Sequence, residues 1–411
     1  MPLSRVEEEL QHELQQLEAA GASKAGEPVF AGFRHGDARR GPRWVLEGHG
    51  EREFLRMNSN SYLGLSVREE LIREAEAAAL RYGVGPGAVR FISGTSVPHL
   101  RLEAALAAFH GREACLLTGS AYTAMMGVIV ALTTPETAIV SDELNHNCIV
   151  NGVRLARPAS RGVYPHLDLG ALEAEIDAAA ARDARRLLIV TDGVFSMRGD
   201  HAPLAKIRAL VRERDARFPE GALLLVDDSH GVGAYGPTGR GTEEACDAPG
   251  AADVLVGTLG KAFGVNGGYV CSSARIVRWL REKNPFVVYS NPIGAPEAAA
   301  ANMALRIVQS VEGTQLLAHL WAMTGRFIDG LIALGYETIK SPHPVVPLLV
   351  RDTGKTARLV AHLFASNVLA TGLCHPVVPR GQELIRFQLS ADHTPGDVDA
   401  VLEALRAFPE R

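Results

Sequence analysis

Five short apolar runs, at 137–140, 186–191, 222–227, 253–256 and 268–272, alternate with Ala-, Leu- and Arg-rich stretches of helical period, and this alternation most restricts the fold. Strands that are apolar at nearly every position must be covered on both faces. Helices between them provide that cover and allow parallel pairing. The chain should therefore be α/β with a mostly parallel central sheet. Polar residues at the C-terminal ends of such strands gather at the site, which draws attention to Asp142 to His146, Asp192 to Ser196, Asp227 to His230 and Thr258 to Lys261. A further strand is expected at 116–118, followed by a tight turn and a helix through Leu132. Free backbone N–H groups at Ala121 and Tyr122 would suit a phosphate there.

The ends of the chain read differently. After Pro292, helices at 296–311, 314–334, 355–365 and 395–407 with apolar stretches at 344–350 and 384–390 predict a smaller α+β domain. Val6, Leu10, Leu14 and Leu17 predict an amphipathic helix over 4–19, its apolar face lying against something else. The stretch 21–53, rich in Gly, Pro and charge, predicts a surface arm with a short strand pair near 44–55. Helices are expected at 68–82 and 98–110, with the glycine-rich segment 83–87 irregular between them. The organisation expected is an N-terminal helix and arm (1–57), a large α/β domain (58–295) and a small C-terminal domain (296–411).

Composition removes several classes of function. A net charge of −5 offers no basic excess for nucleic acid or an anionic membrane. No apolar run approaches the roughly 20 residues of a membrane span, and the acidic N-terminus lacks the apolar core of a signal peptide. The five cysteines are scattered without a Cys-x-x-Cys pair, which argues against a disulfide framework or a zinc site and for a reducing compartment. The expectation is a cytoplasmic protein with no metal, no nucleic acid and no membrane partner.

Two motifs tempt and fail. Gly231-Val232-Gly233-Ala234-Tyr235-Gly236 has dinucleotide-fingerprint spacing, but Pro237, Gly239 and Gly241 follow where a helix should open. Gly257 to Lys261 resembles the end of a P-loop, yet Leu255 occupies the first glycine position and Ala262 the place of the Ser/Thr.

Lys261 follows a buried strand, where a dehydrated amine has a lowered pKa and can act as a nucleophile or form a Schiff base; alone it also reads as a surface lysine. Asp227 ends another such strand, and a buried carboxylate needs a cation or donors facing it. A pyridinium nitrogen is one such partner, a helix cap another. Lys261 comes one helix and one strand later, at the same sheet edge.

Together, Asn60-Ser61-Tyr62-Leu63-Gly64-Leu65, Arg90-Phe91-Ile92-Ser93-Gly94-Thr95, Ser141-Asp142-Glu143-Leu144-Asn145-His146, Asp192-Gly193-Val194-Phe195-Ser196-Met197, Asp227-Asp228-Ser229-His230, Thr258-Leu259-Gly260-Lys261 and Ile385-Arg386 resemble the α-oxoamine synthases from about residue 55 onward. The resemblance implies a PLP-dependent transferase of the aspartate aminotransferase-like fold (fold type I), working as a homodimer on an amino acid and an acyl-CoA. It implies that Lys261 carries pyridoxal 5'-phosphate and later moves the Cα proton, and that Asp227 pairs with the pyridine nitrogen. His146 would stack on the ring, and Ser196 and His230 would reach its phenolic oxygen. Ala121, Tyr122 and Thr258 would hold the phosphate, with Ser290 contributing from the partner subunit. Arg386 and Asn60 would bind the amino-acid carboxylate. The stretches 373–382 and 386–394, with Thr95 after Gly94, are most similar to members that acylate glycine with acetyl-CoA. Members using alanine or serine and a longer acyl-CoA remain the alternative. A non-catalytic partner subunit would be expected to lack the lysine, and a plain aminotransferase fits the Asp227 to His230 spacing less well.

Overall fold

The computed structural model describes residues 2–19, 23, 26–37, 39–375 and 377–410, so part of the arm expected from residue 21 lies outside the described residues. The chain forms two compact units. One runs from Asn60 to Ala322; the other joins the N-terminal segment up to Ser59 to the C-terminal segment from Met323. The second division falls within the helix Val311–Ala333.

The unit Asn60–Ala322 is built on seven strands: β1 (Ala114–Thr118), β2 (Thr137–Asp142), β3 (Ser160–Tyr164), β4 (Arg186–Asp192), β5 (Ala222–Asp227), β6 (Val254–Thr258) and β7 (Gly268–Ser272). Their order across the sheet is β1-β7-β6-β5-β4-β2-β3. The pairs from β6 to β3 are parallel, as expected, whereas β7 runs antiparallel to both β1 and β6. The segment joining β6 to β7 is too short for the helical crossover that a parallel pair requires. β3 was not legible in the sequence. It is an edge strand in which Gly162 and Tyr164 are buried and their neighbours are not, so it has no apolar run.

The helix Ala121–Leu132 buries Ala124, Met125, Val128 and Ile129 against Leu188, Val190, Leu225 and Val256 of the sheet. Removing these side chains from water supplies about 1.5–3 kcal/mol for each larger one, which anchors the start of that helix at the strand ends. Gly268 permits the approach: a Cβ there would lie 2.2 Å from the Ala121 amide nitrogen.

The other unit holds a four-stranded sheet (Phe30–Arg34, Arg43–Leu46, Glu53–Arg56 and Val368–Leu369) and a three-stranded sheet (Val345–Leu349, Leu384–Gln388 and Thr371–Leu373). The strand pair expected near 44–55 is present within the first of these. The N-terminal helix forms over Pro2–Ala19, but Val6, Leu10, Leu14 and Leu17 are 46–55% exposed, so no described residue covers the face that the periodicity predicted to be packed. Periodicity reports that a face is apolar, not what lies against it.

Candidate active site

In-register pairing places Asp192 opposite Asp227, and Asp227 opposite Val256, so the ends of β4 and β5 come level and β6 runs two residues further. Of the expected site residues, Ala121, Tyr122, His146, Ser196, Asp227, His230, Thr258 and Lys261 all line one pocket at this edge. Lys261 is partly buried just beyond β6. Thr258 ends that strand; its hydroxyl accepts the Gly260 amide at 3.1 Å and donates to the Gly267 carbonyl at 3.3 Å. Asn60 lies in the same unit and accepts the Tyr62 hydroxyl at 3.4 Å. Ser290 is exposed and does not line this pocket. Arg386 belongs to the other unit, on the central strand of its three-stranded sheet, paired with Pro347 and Thr371.

Asp227 is 6% exposed, and its Oδ1 accepts the Ser229 amide at 3.1 Å. The Cys148 thiol donates to its Oδ2 at 3.4 Å. Burial first, and then the charge of Asp227, push the Cys148 pKa upward, so this thiol keeps its proton and serves as a donor. The amide of Cys148 donates to His146 Nδ1 at 3.3 Å, which makes that nitrogen an acceptor and leaves the proton of the neutral ring on Nε2. The His146 ring is open on one side, yet desolvation holds its pKa below the ordinary range. Asp227 opposes that shift and Lys261 adds to it.

Asp192 completes the floor. Its Oδ2 accepts the His146 amide at 3.0 Å, and its own amide donates to Asn145 Oδ1 at 2.9 Å. Burial, followed by the negative charge of Asp227, raises the Asp192 pKa well above the carboxylate range. The Tyr62 hydroxyl is 2.6 Å from His230 Nδ1, which orients that ring.

Asp192, Cys148 and Tyr62 were not assigned roles from the sequence. Asp192 stood in a noted strand-end motif, and Cys148 lies two residues beyond His146. Their contacts with His146, Asp227 and His230 exist only once strands and helices distant in sequence are aligned. In the motif Arg90 to Thr95, by contrast, Arg90–Gly94 form a short π-helix: Arg90 is buried against Glu103, whose Oε1 also takes the Leu117 amide at 2.9 Å.

The residues present fit a phosphorylated pyridine. Ser120 caps the helix Ala121–Leu132 through the Thr123 amide, and its carbonyl takes that of Ala124, leaving the amides of Ala121 and Tyr122 as the helix's open donors among the described residues. Asp192 Oδ1 and Ser229 Oγ are buried at the pocket with no hydrogen-bond partner among the described residues. Orphaned polar atoms of this kind are costly unless a polar ligand meets them. Between them, Asp227 offers a carboxylate to a ring cation and Lys261 an amine.

Residues 52–405 match the family model described as aminotransferase class I and II. An 8-amino-7-oxononanoate synthase from Thermosipho melanesiensis is 39% identical over 91% of this chain and 92% of that protein. A 2-amino-3-ketobutyrate coenzyme A ligase from Escherichia coli K12 is also 39% identical, over 84% of this chain and 85% of that protein. A solved structure of SPT with PLP superposes with a TM-score of 0.85 at 24% identity, covering 97% of this chain and 96% of that one.

Proposed function

The chain belongs to the aminotransferase class I and II family, and from that premise we propose that it condenses glycine with acetyl-CoA to give 2-amino-3-oxobutyrate and free coenzyme A. Both relatives described above are α-oxoamine synthases, and the family is PLP-dependent. The observation that carries the reading is the convergence of Lys261, Asp227 and His146 on one pocket beside open helix amides.

When bound, pyridoxal 5'-phosphate supplies an electron sink for the pair left at the amino acid's Cα. Lys261 holds that group through its amine and afterwards moves the proton at Cα. Asp227 keeps a proton at the ring nitrogen, and Cys148 fixes the orientation of the Asp227 carboxylate. His146 covers the ring face, while Ser196 and His230 hold the phenolic oxygen. The amides of Ala121 and Tyr122, with the Thr258 hydroxyl, hold the phosphate; Ser290 is assigned to the partner's site in a homodimer. Arg386 takes the substrate carboxylate with its fork of donors, assisted by Asn60.

Glycine is favoured because Thr95 stands after Gly94; its hydroxyl is engaged by the Arg90 carbonyl at 3.0 Å. A second reading, an 8-amino-7-oxononanoate synthase using alanine and a longer acyl-CoA, is favoured by the equally similar relative that matches more of the chain. Thiol release from acetyl-, succinyl-, pimeloyl- and palmitoyl-CoA with glycine, alanine and serine tests both. Turnover confined to acetyl-CoA and glycine supports the first reading. Preference for alanine or for a long acyl chain overturns it and keeps the residue roles.

A further inference from the structure

Behind the pocket, His166 stands between two carboxylates. Its Nδ1 is 3.1 Å from Asp142 Oδ1, its Nε2 is 3.2 Å from Asp200 Oδ2, and its side chain is 12% exposed. Two acceptor-only groups on the two ring nitrogens require both nitrogens to donate, and therefore a charged ring. Phe195 packs edge-on against the same ring, with centroids 4.4 Å apart.

Each partner leads to the pocket. Asp142 ends β2, and its Oδ1 also accepts the Leu144 amide at 2.9 Å, two residues before His146. Its Oδ2 accepts the Leu167 amide at 3.0 Å and so holds Leu167 at φ +60°. A branched residue in that region persists only where its surroundings over-determine the backbone. Asp200 closes the loop carrying Ser196: the Phe195 amide donates to the Asp200 carbonyl at 2.9 Å, and Arg198 Nε donates to its Oδ2 at 2.7 Å.

We propose that His166 is a positioning residue, an imidazolium between Asp142 and Asp200 that clamps the loop bearing His146 to the loop bearing Ser196. It touches neither substrate nor cofactor, and it acts through those two side chains. The charged and titratable groups around it are Asp142, Asp200, Arg198, Glu143, which accepts the His166 amide at 2.9 Å, buried Tyr164, and His201 beside Asp200. Burial works against the charged ring, but the bonds to Asp142 and then Asp200 outweigh it and raise its pKa to about 9. A folded-state pKa above the ordinary value means that the clamp stabilises fully below about pH 6.5 and is lost as pH rises through about 9.

Only the effect on cofactor rests on the proposed function, so two readouts are needed: thermal melting of the full chain across pH, and affinity for added PLP by absorbance titration. His166→Gln should melt about 2–4 °C below the wild type at pH 6.5, with the gap closing above pH 9. It should also bind PLP roughly tenfold more weakly, about 1.4 kcal/mol. Asp200→Asn, a milder change, should move the wild type's alkaline loss of stability to lower pH. A melting gap that is the same at every pH would show packing rather than charge and overturn the clamp. Unchanged PLP affinity in His166→Gln would overturn positioning while leaving the pocket assignment intact. A wild type that takes up no PLP would remove the proposed function, and the melting series would still decide the clamp.

Discussion

At the end of β5 two consecutive aspartates enter two different regions. Asp227 lines the pocket, where a thiol and one amide hydrogen-bond to it. Asp228 enters a closed cage in which Thr242 donates its amide at 2.7 Å and its hydroxyl at 2.5 Å. Glycines wall that cage: a Cβ on Gly231 would lie 2.1 Å from Asp228 Oδ1, and one on Gly241, at φ +100°, 2.0 Å from Oδ2. Of the fingerprint-like glycines, Gly231 thus makes room for the Asp228 carboxyl, Gly233 for the Ala262 side chain and Gly236 for Glu244. Successive residues of a strand point to opposite faces, so one position in the chain separates a group open to chemistry from a group that holds a loop together.

The largest test of this contrast is on the pocket side. Lys261→Ala should abolish the visible absorption of the purified protein while the far-UV spectrum stays native; a coloured variant would break the assignment of the amine. Asp227→Ala should lower kcat by about 10²–10³, the usual cost of removing one preorganised electrostatic partner, with little change in melting temperature. Steady-state kinetics beside a thermal melt would show whether the loss is catalytic or structural.

On the cage side the order reverses. Gly241→Ala should destabilise the fold by about 1–3 kcal/mol through overpacking, with additional strain from its positive φ, while the surviving folded fraction keeps normal turnover. Denaturant melts measure the first quantity and activity per folded molecule the second. The last test concerns pH. Burial raises the pKa of Asp228 to about 8, against the donors of Thr242. An acid whose folded pKa lies above its unfolded value near 4 costs stability progressively as pH rises from about 4 to 8. Asp228→Asn should remove this component, so wild type minus variant stability should decline over that interval; a flat difference would mean that the carboxyl does not titrate there.

Much of the site was legible because motif and strand end coincide. His146, Asp227, Thr258 and Lys261 each lie at or just beyond an apolar strand, and a buried parallel sheet brings such ends to one edge. What was not legible depends on pairing between distant segments. Asp192 meets the His146 backbone because β2 and β4 pair in register, Tyr62 reaches His230 across much of the unit, and His166 follows a strand too alternating to be read as buried.

The sequence by itself determined the α/β class, the helix periods, the irregular glycine segments and the set of strand ends where chemistry belongs, because apolar period and turn chemistry act over a few residues. Only the tertiary structure decided what encloses Asp228 beside the pocket-facing Asp227, which groups the glycines after Ser229 stand against, and that the apolar face of Pro2–Ala19 stays open in the described chain. Those outcomes depend on strand register and on the close approach of segments far apart in sequence, and no local pattern encodes either.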